Sequence, residues 1–184
     1  HSITELHINR PYKAHVGLFA DTENSIIRNV GLLGGSITGL SNVGGLVGSN
    51  RGGTIEQSYA TGAVTGQDNV GGLVGYNYFG TIEQSFWDSY STGQTSAVGS
   101  TAGPADFSIS EITSDPTKAS EGNYAFKKSA YAALGNDFDK YWFMLDGSTR
   151  PFLRSEYSTT ISNAHQLQLM AMDLSAHYQL ANNI

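Results

Sequence analysis

The chain has 184 residues, 39% of them hydrophobic and 11% aromatic, with ten Lys and Arg against sixteen Asp and Glu, a formal charge of −6 and no cysteine. That length suits one ordinary domain, or one domain plus an appendage, with a sizeable core. Thinly spread cations exclude a nucleic-acid binder, the lack of a long apolar run excludes membrane insertion, and the missing cysteine removes disulfides, thiolate catalysis and Cys-ligated zinc.

A negative balance points to neutral or cationic partners. No signal peptide opens the chain, and its first residue is His1 rather than Met; a fragment of a longer protein is the expectation. If it is exported, hydrogen-bonded repetition must replace the disulfides on which small extracellular proteins usually rely.

The first recognisable unit is "VGLFADTENSIIRNVGLLGGSITG", from Val16. A second, "VGGLVGSNRGGTIEQS", runs from Val43 to Ser58, and a third, "VGGLVGYNYFGTIEQS", starts 27 residues later at Val70. Thirteen of these sixteen residues are identical, and only Ser49, Arg51 and Gly52 change, to Tyr76, Tyr78 and Phe79. Leu18, Leu46 and Leu73 align, as do Ile27, Ile55 and Ile82, and one extra residue in the first unit brings Ile37 into line with Val64.

Periods of this length mark solenoids or propellers. Gly44, Gly45, Gly48, Gly52, Gly53 and Gly62 interrupt every window that a helix would need, and the leucines are too sparse for a leucine-rich repeat. A propeller blade wants about 40 residues. Short strands between Gly and Asn corners remain, which is the content of one coil of a single-stranded parallel β-helix, all-β, with coils of about 27 residues. Stacked parallel strands lie about 4.8 Å apart, so like stacks on like. The aligned Leu, Ile and Ile/Val sets are expected to form interior ladders, and Asn50 over Asn77 a corner ladder of side-chain amides.

Residues 105–157 break the rhythm. Asp115 reads as an N-cap with Pro116 at the first helical position, and "NYAFKKSAYAALG" as a short helix with Tyr124, Tyr131 and Leu134 on its apolar side and Gly135 as its stop. This partly helical insertion is expected to pack on the side or end of the solenoid (residues 1–104), with Trp142, Phe143, Leu145, Phe152 and Leu153 as its core and Pro151 at an edge strand. In residues 158–184, Ser162 reads as an N-cap, Leu167, Met170 and Leu174 as an apolar face, and "AHYQL" as a strand, compatible with the start of a second solenoid run.

The pattern Val-Gly-Gly-Leu-Val-Gly, Asn, then Gly-Thr-Ile-Glu-Gln-Ser resembles the GLUG repeat of large secreted bacterial proteins, such as filamentous haemagglutinin-like adhesins and some IgA-specific metallopeptidases. The resemblance covers residues 15–95. "SFWDSYSTGQTSAVGSTAG" resembles the ending of such a run, "YWFMLDGSTRPFLR" the close of a module, "ISNAHQLQLMAMDLSAHYQLANNI" a lead-in to the next, and "HSITELHINRP" the strand before the first repeat. It implies tandem modules in one long chain, export to the bacterial surface or beyond, and attachment to a host-surface or matrix glycan or protein.

Glu56 and Glu83 fall in register one coil apart and would present carboxylates about 5 Å apart, as β-helix polysaccharide lyases and hydrolases require, but a repeated Glu beside an inward Ile ordinarily faces solvent. No enzyme, cofactor or metal is expected. His1, His7, His15, His165 and His177 lack metal-binding spacing, and no HExxH occurs. The Asn136, Asp137, Asp139 turn lacks the Gly and distal Glu of a calcium hand. Binding is the more promising class: Tyr59 aligns with Phe86, and aromatics concentrate near residues 76–90. Tyr76, Tyr78, Tyr59 and Tyr90 are the candidate ligand contacts, with Trp87 and Phe86 assigned to packing. The rival readings are a carbohydrate-active β-helix enzyme fragment and a non-catalytic spacer of a surface peptidase.

Overall fold

The computed structural model describes residues 2–104, 107–134, 137–181 and 183. The repeats wind into a β-solenoid of about four turns with coils of about 27 residues. Each near-duplicate segment lies on its counterpart in the parallel register the repeat predicts: Phe19, Val47, Val74 and Val98 form one column, and Ile27, Ile55, Ile82 and Phe107 another.

Strand alternation then sorts the side chains. Leu46, Val47, Ile55, Leu73, Val74 and Ile82 are completely buried and share one core with Val43, Ile37 and Val64. Asn50 and Asn77 also face inward. Asn50 Nδ2 donates to Asn77 Oδ1 across 27 residues at 2.8 Å, and each amide also donates to a carbonyl three residues on, Gly53 and Gly80. Thr22 takes the same place in the first coil, donating to Asn50 Oδ1 at 3.0 Å. A buried amide left alone would be costly, so the ladder is what allows polar residues inside the coil.

The corners explain the glycine blocks. A Cβ on Gly44 would run into the carbonyl of Val47, and one on Gly71 into that of Val74, so the bend must be glycine in both copies. Another corner takes left-handed backbone in four coils, at Asn24, Gly52, Phe79 and Gly103.

The strand Thr81–Asp88 carries the chain round a corner, and its last residues alternate between two environments. Trp87 turns inward onto Gly72 and donates its indole N–H to Gln94 O at 3.1 Å, while Phe86 turns outward. Outward too is Tyr59, its register partner, whose ring occupies space that a side chain at Gly31 would fill.

The solenoid does not stop at residue 104 as expected, because the strand Phe107–Ile112 still pairs in parallel with Thr81–Asp88; the described residues from 113 to 157 then cover that outward face. Tyr59 and Phe86 join Ile112, Ala125, Tyr131, Leu134, Phe138, Trp142, Met144 and Leu153 in a second core. Trp142–Phe143 and Phe152–Leu153 form an antiparallel hairpin, and short helical turns fill the rest. Asp115 caps the 3-10 turn Pro116–Lys118 as expected. The predicted helix from Asn123 is shorter than its sequence implies. Only Lys128–Leu134 coils, as a 3-10 segment kinked at Tyr131, because Ala125 N–H pairs with Thr113 O instead and the Tyr131 hydroxyl takes Ala125 O at 2.8 Å. Its stop, Gly135, lies outside the described residues. Leu145 is exposed rather than part of the second core.

The insertion runs the length of the flank. It leaves the last coil at Thr113 and ends beside the first, where Ser2 N–H and Oγ–H donate to Glu156 Oε1 at 2.9 and 2.6 Å. Beyond it, Asn163 rather than Ser162 caps the helix Ala164–Leu169, since Ser162 is bonded to the Gln166 side chain. Leu169 of that helix is fully buried; Leu167, two residues earlier, faces the opposite side and is exposed, and Leu174 is exposed beyond the 3-10 turn Met170–Met172, where the helical period has ended. Thr160–Ile161 pairs in parallel with Gln179–Leu180.

Candidate functional site

The outward face of the strands Phe19–Glu23, Val47–Arg51, Val74–Tyr78 and Val98–Ala102 lies off the flank that the insertion covers. One of its columns reads Asp21, Ser49, Tyr76, Ser100 and another Glu23, Arg51, Tyr78, Ala102. At the corner that follows stand Asn24, Gly52, Phe79 and Gly103. The three residues that distinguish the third repeat from the second therefore meet at one outward corner of one coil.

There they form a ring cluster. Tyr78 and Phe79 pack edge-on with centroids 4.7 Å apart, and Tyr76 lies 6.4 Å from Tyr78. Tyr78 keeps 46% and Phe79 55% of its surface exposed, and Tyr76 is half-buried. On the side of the earlier coils the cluster is bounded by ions: Arg51 Nη2 lies 3.4 Å from Asp21, which also faces His15 at 3.8 Å. On the side of the last coil it is bounded by the small residues Ser100, Ala102 and Gly103.

The other two expected contacts part company with this cluster. Tyr59 is corrected: it is 4% exposed beneath the insertion, its ring 5.5 Å from Trp142 and its hydroxyl donating to Pro151 O at 3.3 Å. Burial pushes its phenol far above the usual tyrosine range, and it acts in packing rather than as a surface contact. Tyr90 is exposed but stands on a different corner, in the short helix Ser89–Thr92. Phe79, missing from the expected contacts, is the third ring of the cluster. Its signal in the sequence was the replacement of Gly52 by an aromatic at a corner where the backbone is left-handed.

Beside Tyr90, Asp88 anchors the insertion. It is fully buried, caps Ser89–Thr92 through Tyr90 and Ser91 N–H, accepts from Ser114 N–H at 3.0 Å, and pairs with Arg150. Burial alone would raise its carboxyl, but Arg150 and the Ser114 bond outweigh it and hold it below the usual range.

Glu56 and Glu83 are register partners on the outer surface, with Glu56 at 3.9 Å from Arg28 and Glu83 exposed. His7 bonds Ser36 and His15 bonds Asn42. Among the described residues no group of three His, Asp or Glu could hold a metal ion. Asn136 lies outside the described residues, and Asp139 pairs with Lys128 at 2.7 Å. No helix among the described residues is long and apolar enough to cross a membrane.

A family model for the GLUG motif matches residues 39–65, which make up the coil between the corner glycines Gly39 and Gly66. No curated protein matches the chain, and no solved structure does.

Proposed function

We propose that this chain is a module of a large bacterial adhesin, secreted or held at the cell surface, that attaches to a host-surface or matrix ligand through the Tyr76, Tyr78 and Phe79 corner. The observation that carries this reading is the contrast between adjacent coils. Where thirteen of sixteen residues repeat, the three that change produce one exposed aromatic patch on a rigid scaffold. Selection for packing alone would favour the polar and glycine residues of the preceding coil, whereas exposed aromatics on a stiff frame are contact residues.

A solenoid suits this work because each coil packs only on its neighbours, so coils add reach without a new core. Freedom from cysteine suits a chain that crosses an outer membrane unfolded, and the GLUG motif is in keeping with a filamentous haemagglutinin-like parent in which such modules follow one another. Binding without catalysis is the proposed role. The test is a screen of glycan arrays and host-matrix proteins with wild type beside the Tyr76→Ala/Tyr78→Ala double variant. Binding by the wild type and its loss in the variant is the expected result; equal signals from both proteins would remove the aromatic corner from the attachment role.

A further inference from the structure

We infer that the Tyr76, Tyr78 and Phe79 corner is a binding site for an uncharged saccharide chain, with Phe79 as a contact ring held there against the preference of its own backbone. The inference rests on the attachment role proposed above and adds the class of ligand and the third residue.

Phe79 is the telling residue. Its φ of +53° is left-handed, a conformation that suits Gly and Asn and disfavours a bulky aromatic. The same corner of the other coils complies: Asn24, Gly52 and Gly103 occupy it. A phenylalanine here strains the backbone and leaves more than half of its apolar surface in water, so neither local geometry nor burial accounts for it. Left-handed backbone recurs at other corners of the fold, on Asn residues and on Glu5, His15, Gln57 and Gln84, all of them polar; among the described residues Phe79 is the apolar side chain in that set, and its exposure is what points to a function.

The ring is also seated. A Cβ at Gly103 would lie 2.6 Å from the Phe79 ring, so the ring rests on the backbone of the next coil where only glycine leaves room. The edge-on contact with Tyr78 fixes it from the other side. Three rings are therefore presented in a set arrangement, with Phe79 lying over Gly103 and the small residues Ser100 and Ala102 in register beside Tyr76 and Tyr78.

Size and charge select the ligand. At 46% and 55% exposure, Tyr78 and Phe79 offer together roughly 200 Å² if each residue presents about 200 Å² in full. Together the two rings give about a quarter of the roughly 800 Å² that a stable protein interface takes from each partner, so a protein ligand would have to cover the Asp21, Glu23 and Arg51 columns as well, whereas a few sugar rings need only the patch. The cation beside it, Arg51, is engaged with Asp21 3.4 Å away, and the chain carries a net −6, so an acidic glycan finds no attraction here. What remains is stacking of apolar sugar C–H faces on the rings, with the Tyr76 and Tyr78 hydroxyls and the Ser100 side chain, the register partner of Tyr76, at hand for sugar hydroxyls.

The experiment measures wild type, Phe79→Gly and Tyr76→Ala/Tyr78→Ala against three sets of probes: neutral oligosaccharides, sulfated and sialylated ones, and enzymatically deglycosylated matrix proteins. Thermal unfolding is followed for each protein. Wild type is expected to bind neutral oligosaccharides, and Phe79→Gly to bind them at least tenfold more weakly. Its midpoint should stay within about 3 °C of wild type, since relief of the left-handed strain offsets the lost contact with Gly103. Undiminished binding by Phe79→Gly would overturn the role of Phe79. Binding confined to acidic glycans, or to deglycosylated protein, would overturn the ligand class while leaving attachment through this corner intact. Binding to none of the three sets would overturn both the inference and the attachment role.

Discussion

Replacing Asn77 by Ala tests whether the coils are held in register by their interior amide ladder. Asn77 is fully buried, its Nδ2 donates to Gly80 O at 2.7 Å, and its Oδ1 accepts from Asn50 Nδ2 at 2.8 Å. Truncation leaves the Gly80 carbonyl without that donor and one N–H of Asn50 without an acceptor, both away from water. Each such loss costs about 1–3 kcal/mol, giving roughly 2–6 kcal/mol for the pair. Thr22→Val is the matched control at the end of the ladder. It removes a hydroxyl that donates to Asn50 Oδ1 at 3.0 Å, with a longer approach of 3.4 Å to Ser49 O, from a half-buried position, and about 1 kcal/mol is expected. Urea unfolding followed by tryptophan fluorescence is the assay, because Trp87 reports on the solenoid core and Trp142 on the insertion. With m near 2 kcal/mol/M, Asn77→Ala should lower the midpoint by at least about 1 M with m unchanged. An Asn77→Ala shift no larger than that of Thr22→Val would refute the reasoning, since it would mean that the ladder amides contribute no more inside than at its end.

The interior ladder of aliphatics makes a parallel case: Ile82→Ala, at a completely buried site between Ile55 and Phe107, should cost about 2–5 kcal/mol, and Ile27→Ala, at the 8% exposed outer rung, less, as urea midpoints will tell. Arg150→Ala leaves Asp88 buried with only its N–H donors and should destabilise by about 3 kcal/mol at pH 7. Because the folded Asp88 carboxyl is held below its ordinary value, its contribution is present above about pH 4 and is lost as pH falls through the lowered pKa; stability between pH 5 and pH 2 should therefore fall more steeply in wild type than in Arg150→Ala, and parallel curves would contradict the pairing. Burial raises the phenols of Tyr59 and Tyr131, so in a spectrophotometric titration two of the ten tyrosines should ionise only when the fold opens.

Much of the solenoid could be read from the repeat because stacking in a parallel β-helix is a translation. A residue meets its counterpart one coil away, so the alignment of Ile55 with Ile82 is already a statement about contact. The insertion was legible only in outline. Its apolar residues marked a core, but the helix expected from Asn123 gave way to pairing between Ala125 and Thr113, a contact set by the last coil and not by the local sequence.

The site divides along the same line. Repetition alone determined the coil, its interior ladders and the three positions where the third unit departs from the second, since those follow from counting residues. Which aromatics stay in water was decided by the tertiary structure. Tyr59 and Tyr78 are both outward-facing strand residues, yet the returning insertion buries the first and passes by the second. Phe79 gained its meaning only when its left-handed φ and its seat on Gly103 were in view. Periodicity specifies what each residue touches in the next coil, while the path of a non-repeating segment depends on long-range packing that no local pattern encodes.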